Sequence, residues 1–89
     1  MSHLIELFYC EHCPGCPDAR QMLRRVASEH PDVTVIERNI RDDAEYQRAT
    51  DYHLISTPAF VIDREGVMYG VPQQGTLAAR IAASTPVLD

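Results

Sequence analysis

The sequence predicts an α/β domain, a small mixed sheet of four strands with helices on both sides, in the order β-α-β-α-β-β-α. Three observations carry this. An apolar run from Leu4 to Tyr9 gives way, after Pro14, to a helical period. A β-branched run, Val33 to Ile36, follows that helix closely and completes a βαβ unit. Two short apolar runs then flank Asp63-Arg64-Glu65-Gly66, the composition of a hairpin turn.

Leu4 to Tyr9 is broken only by Glu6, as a central strand covered on both faces would be. Ala19, Met22, Leu23 and Val26 then recur at i, i+3, i+4 and i+7, one face of a helix. Pro14 and Pro17 are compatible with a helix only in its first turn, where a missing N–H costs no intrahelical bond, so the helix is expected to begin close to Cys13. It should end near Ser28 to His30, ahead of Pro31. After Val33 to Ile36, Asp42 or Asp43 is suited to cap a second helix running to about Asp51, with Ala49 and Tyr52 inward. Ala59 to Ile62 and Val67 to Tyr69 read as the hairpin strands. Thr76 is the expected cap of a last helix that turns Leu77, Ala78, Ile81 and Ala82 to one side.

At 89 residues the chain (1–89) is read as a single domain with one modest core. Apolar content of 45 % and charged content of 24 % are ordinary for a soluble globular protein. A formal net charge of −5 argues against a nucleic-acid partner. All 8 basic residues are arginine, and no mechanism follows from that. No basic leader precedes Leu4 to Phe8, which is far too short for a signal peptide, and no run approaches the ~20 apolar residues of a membrane span. A monomer in the reducing cytoplasm is expected, where cysteines are more often catalytic, metal-bound or plain core than structural disulfides.

Cys13 and Cys16 form a C-x-x-C at the strand-to-helix junction, the placement thiol–disulfide exchange needs. One sulfur can ionise at the electropositive helix start while the other, one turn inward, resolves a mixed disulfide. As a staple the pair is less convincing, because closing so short a loop gives only roughly 2 kcal/mol. Cys10 extends the pattern to Cys10-x-x-Cys13-x-x-Cys16, a series that also suggests metal or iron–sulfur ligation. Zinc takes four ligands, and His12, the one histidine near the cysteines in sequence, is awkwardly placed beside Cys13. Cys10 is read as a small half-buried strand end, with a regulatory or resolving thiol and a metal ligand as the alternatives. His3, His30 and His53 read as surface or loop residues and Glu11 as solvated. Phe8 and Tyr9 read as core or groove wall.

With motif and element order together, the chain resembles a small member of the thioredoxin superfamily, close in size to the glutaredoxins. Phe8-Tyr9-Cys10-Glu11-His12-Cys13-Pro14-Gly15-Cys16 resembles the thioredoxin active-site stretch with its inner Gly-Pro reversed. Cys13-Pro14-Gly15-Cys16-Pro17 followed by Ala19 is similar to the C-P-Y-C-P motif of archaeal-type glutaredoxin-like proteins. Tyr52 to Pro58 resembles the segment that ends in the superfamily's cis-proline. The resemblance implies a thioredoxin-like fold and a thiol–disulfide oxidoreductase in which Cys13 attacks and Cys16 resolves.

It also implies a cis Thr57-Pro58 bond, with the Thr57 backbone beside the sulfurs, where it can pair with an extended substrate and obstruct a metal ion. Thr57 and Pro58, with His12, Pro14 and Gly15 around the cysteines, are the implied substrate-binding residues. A protonated His12 would favour the Cys13 thiolate. Two departures stand out. Leu7 occupies the place of the thioredoxins' buried aspartate, six residues before the nucleophile. Gly70-Val71-Pro72-Gln73-Gln74-Gly75 lacks the acidic pair with which glutaredoxins hold glutathione.

No bound organic cofactor is implied, because the dithiol is the redox centre, and use of glutathione stays open. Implied partners are disulfide-containing substrates and a reductase or glutathione, with no nucleic acid and no membrane. Lowering a thiol pKa by two units needs about 2.7 kcal/mol, against roughly 0.3–1 kcal/mol from a helix terminus. Backbone N–H groups at Gly15 and, above all, Cys16, with the Cys16 thiol, are expected to supply the rest.

Overall fold

The computed structural model describes residues 1–89, in which β1 (His3–Tyr9), α1 (Cys16–Glu29), β2 (Val33–Asn39), α2 (Asp43–Asp51), β3 (Ala59–Ile62), β4 (Gly66–Tyr69) and α3 (Gln74–Ala83) follow one another. The four strands form one sheet in the order β2-β1-β3-β4. β1 runs parallel to β2 and antiparallel to β3, and β3 pairs antiparallel with β4. This is the predicted mixed sheet.

Alternation along the central strands sorts side chains between two faces. Ile5 and Leu7 of β1, with Phe60 and Ile62 of β3, pack on Ala19, Leu23 and Val26 of α1 and Leu77 and Ile81 of α3. On the other face Phe8, Ala59 and Val61 pack with Ile40, Ala49, Tyr52 and Leu54 in and around α2. Burying a side chain such as Leu23 or Phe60 is worth roughly 1.5–3 kcal/mol. β1 is covered on both faces, so every residue from His3 to Phe8 is buried.

Several boundaries differ from those the sequence predicts. α1 starts at Cys16 with Gly15 as its N-cap, because Cys13 to Cys16 first closes a turn through Cys16 N–H to the Cys13 carbonyl at 3.2 Å. Pro17 lies in the first helical turn, and Pro14 precedes the helix. β2 runs on to Asn39, with Glu37, Arg38 and Asn39 opposite Leu7, Phe8 and Tyr9. Its charged end is tolerated because both charges are paired: Glu37 accepts from Arg20 at 2.6 Å and Arg24 at 3.1 Å, and Arg38 donates to Glu6 at 2.9 Å and Glu45 at 2.8 Å. α3 begins at Gln74, and its N-cap Gln73 offers its carbonyl to Leu77 N–H at 3.0 Å. Thr76 therefore sits inside the helix and does not cap it. Finally, His3 is not a surface residue. It opens β1, is 8 % exposed, and donates from Nδ1 to Asp63 Oδ2 at 2.7 Å.

Candidate redox site

Three loops meet at the C-terminal end of β1. The first leaves β1 at Cys10 and enters α1 at Cys16. Cys13 and Cys16 are joined as a disulfide, with Cα atoms 5.3 Å apart. Cys16, at the first helical position and with its side chain directed into the core, is 1 % exposed. Cys13, outside the helix, is 8 % exposed. Of the bonded pair, it is the less buried residue.

The second loop is Leu54 to Pro58, ahead of β3, and its Thr57-Pro58 peptide bond is cis. The third is Gly70 to Gln73, after β4. Gly70 N–H donates to the Pro58 carbonyl at 3.0 Å, and Gly70 has φ +79°, the left-handed region that favours glycine. A Cβ on Gly15 would meet Val71 Cγ2 at 3.4 Å and Pro58 Cδ at 3.6 Å. Gly15 is thus the point where all three loops close on one another. Val71 and Gly70 join this junction, which the sequence does not predict, since their segment suggests only an incomplete glutathione grip. The signal was there in Gly70, one residue past an apolar strand.

Cys10 belongs to the same place. Its Sγ lies 3.6 Å from Thr57 Oγ1, and the sulfurs of Cys10, Cys13 and Cys16 all lie within 4.8 Å of one another. His12 contributes no nitrogen to this cluster and is exposed. Three sulfurs fall one short of a closed zinc site, which takes four ligands, and two of them are bonded to each other. Glu11 is exposed and accepts from Arg41 at 3.0 Å.

The expected electrostatics require one revision. The Cys16 N–H is engaged by the Cys13 carbonyl and does not point its hydrogen bond at the sulfur. Leu7 is fully buried among core side chains, so the acid of the thioredoxin pattern is indeed missing from that face. Its neighbour Glu6, 2 % exposed on the opposite face, accepts from Arg38 Nε at 2.9 Å and from Tyr52 OH at 2.8 Å. Burial, with the Glu6 carboxylate at the other end of the hydrogen bond, pushes the Tyr52 phenol up to about 12. Burial lowers the Arg38 guanidinium, but Glu45 and Glu6 outweigh it and hold its pKa above the usual value. A groove of about 230 Å³ runs between α2 and the Leu54–Thr57 loop, floored by Phe8 and walled by Tyr46, Ile55 and Thr57.

Residues 4–82 match the family described as Thioredoxin domain. The chain is 33 % identical over 78 residues to a thioredoxin of Methanocaldococcus jannaschii, covering 86 % of this chain and 89 % of that protein. It is 31 % identical over 74 residues to a probable thioredoxin of Archaeoglobus fulgidus, covering 83 % and 80 %. Among solved structures, a mutant thioredoxin from Halobacterium salinarum superposes with a TM-score of 0.81 at 20 % identity, over 99 % of this chain and 79 % of that one.

Proposed function

Since this chain belongs to the thioredoxin-domain family and is a thiol–disulfide oxidoreductase, we propose that Cys13 is its attacking sulfur and Cys16 its resolving one. The observation that carries this reading is the Cys13–Cys16 pair at the start of α1, with Cys13 the less buried residue. In the reduced protein the Cys13 thiolate attacks a target disulfide. One target sulfur leaves as a thiolate, and the other is held as a mixed disulfide. Cys16 then attacks Cys13 Sγ, releases the second target sulfur and forms the disulfide seen here.

Thr57 and Pro58, with His12, Pro14 and Gly15 around the cysteines, form the surface that receives the target. The substrates are disulfide-containing proteins or small disulfides, and electrons return through a reductase or glutathione. The dithiol serves as the redox centre without a bound organic cofactor, in a cytoplasmic monomer that acts on neither nucleic acid nor membrane. No helix is long and apolar enough to cross a membrane.

Insulin reduction with dithiothreitol as electron source tests the assignment. Cys13→Ser should lower the rate to that of dithiothreitol alone. A Cys13→Ser rate equal to that of the unaltered protein overturns the reading.

The sulfur cluster supports a second reading, in which Cys10, Cys13 and Cys16 hold a metal ion or an iron–sulfur cluster when all three are reduced. Stoichiometric zinc or iron retained through anaerobic dialysis would favour it over the first.

A further inference from the structure

Cys10 lies one residue beyond β1, three positions before Cys13, the same spacing that separates Cys13 from Cys16. It is a free thiol, and its sulfur is within 4.8 Å of both members of the disulfide. Unlike Cys16 it is only partly buried, and it sits against Thr57 Oγ1 of the cis-proline loop. A target linked to Cys13 therefore has two sulfur nucleophiles within reach: Cys16 from the helix and Cys10 from beyond the strand end. Thiol–disulfide exchange asks only for an ionised thiol with access to the sulfur under attack. The partly open Cys10 meets the access requirement at least as well as the enclosed Cys16.

We propose that Cys10 is a second resolving thiol, able to discharge the mixed disulfide on Cys13 without Cys16. The inference rests on Cys13 being the attacking sulfur. Cys10 gives up its proton to solvent and attacks Cys13 Sγ. The Cys10–Cys13 bond forms as the bond from Cys13 to the target sulfur breaks, and the target sulfur leaves as a thiolate that takes up a proton. The two electrons that reduce the target come from Cys10 and Cys13, so no further reagent enters. Cys16 can then attack Cys13 Sγ, moving the disulfide to the Cys13–Cys16 pair and returning Cys10 to a thiol with no net oxidation. The outcome is two exits from one covalent intermediate.

Reduced Cys16→Ser and the Cys10→Ser, Cys16→Ser double variant are mixed with insulin, quenched in acid at short times, and analysed by mass spectrometry without reductant. The single variant should release its target and accumulate a Cys10–Cys13 disulfide. The double variant should hold at least tenfold more covalent adduct. The unaltered protein, quenched in the same way during turnover, should yield a Cys10–Cys13-linked peptide, which makes the result independent of how well the variants fold. Equal trapping by the two variants overturns the proposal, as does the absence of that linked peptide at every quench time in the unaltered protein. If neither variant forms an adduct while Cys13→Ser reduces insulin normally, the assignment of Cys13 fails, and this inference fails with it.

Discussion

Glu6 interrupts an otherwise apolar strand, and its carboxylate is held by two donors, Arg38 and Tyr52. Arg38 in turn bridges Glu6 to Glu45, so a single guanidinium neutralises a buried acid and ties β2 to α2. Removing one partner of a buried pair leaves the other charged and uncompensated. Arg38→Met should therefore cost about 3 kcal/mol in urea unfolding, near the low end for such losses because Tyr52 still donates to Glu6. Adding Glu6→Leu to that variant should recover most of the loss, since the stranded charge is gone. No recovery in the double variant would show that Arg38 acts by packing alone.

At this scale Cys13 and Cys16 stand out by their spacing, and Thr57 and Pro58 by the resemblance of their segment to that of a known family, and the structure brings the loops that carry them together. The sequence concealed His3, Asp63 and the Glu6–Arg38 pair. Asp63 is 60 positions from His3, and Arg38 is 32 from Glu6, so no local pattern could join them.

Helix α2 lacks a fully buried residue, so its ends and flanking charges matter more than for a helix seated in the core. Asp42 caps it by accepting from Ala44 N–H at 2.9 Å and Glu45 N–H at 3.4 Å, and Arg48 donates to Glu45 at 3.1 Å. Asp42→Ala should lower stability by about 1 kcal/mol. It should speed amide hydrogen exchange in α2 more than in α1, whose buried face anchors it independently. Uniform acceleration across both helices would contradict this. The cap at Asp42 was legible because Asp at an N-terminus states its own role. The start of α3 was not: Thr76 has the composition of a cap, yet the helix takes up three further residues, Gln74 to Thr76, and starts from the Gln73 carbonyl. Likewise the end of β2 was hidden, since Glu37 and Arg38 look like loop residues until their partners are present.

Across the whole molecule, the N-terminal end of the sheet is fastened by polar contacts. Asp63 accepts from His3 Nδ1 and from Leu4 N–H at 2.8 Å, and Ser2 exchanges backbone hydrogen bonds with Leu88 at 2.7 and 3.0 Å. Burial raises the Asp63 carboxyl pKa, but the His3 and Leu4 hydrogen bonds outweigh it and hold it below its usual value. A carboxyl depressed by folding adds stability that is complete above its unfolded pKa, about 3.9, and is lost as the pH falls through the lower folded value. The folded protein should therefore weaken as the pH falls below about 4. Asp63→Asn should flatten part of that slope and lower stability at pH 7 by about 1.5–3 kcal/mol. An unchanged acid slope in Asp63→Asn would assign the acid sensitivity to other carboxyls.

The bridge between Ser2 and Leu88 also governs how the molecule can be attached to other things. β1 carries the chain from His3 to Tyr9, so the sulfurs lie about 20 Å from that bridge at the rise of an extended strand. Anything fused to either end emerges beside the other end and away from Cys13. A solid support, a fluorescent tag or a tethered second protein can be joined there with a short linker while the approach to Cys13 stays clear.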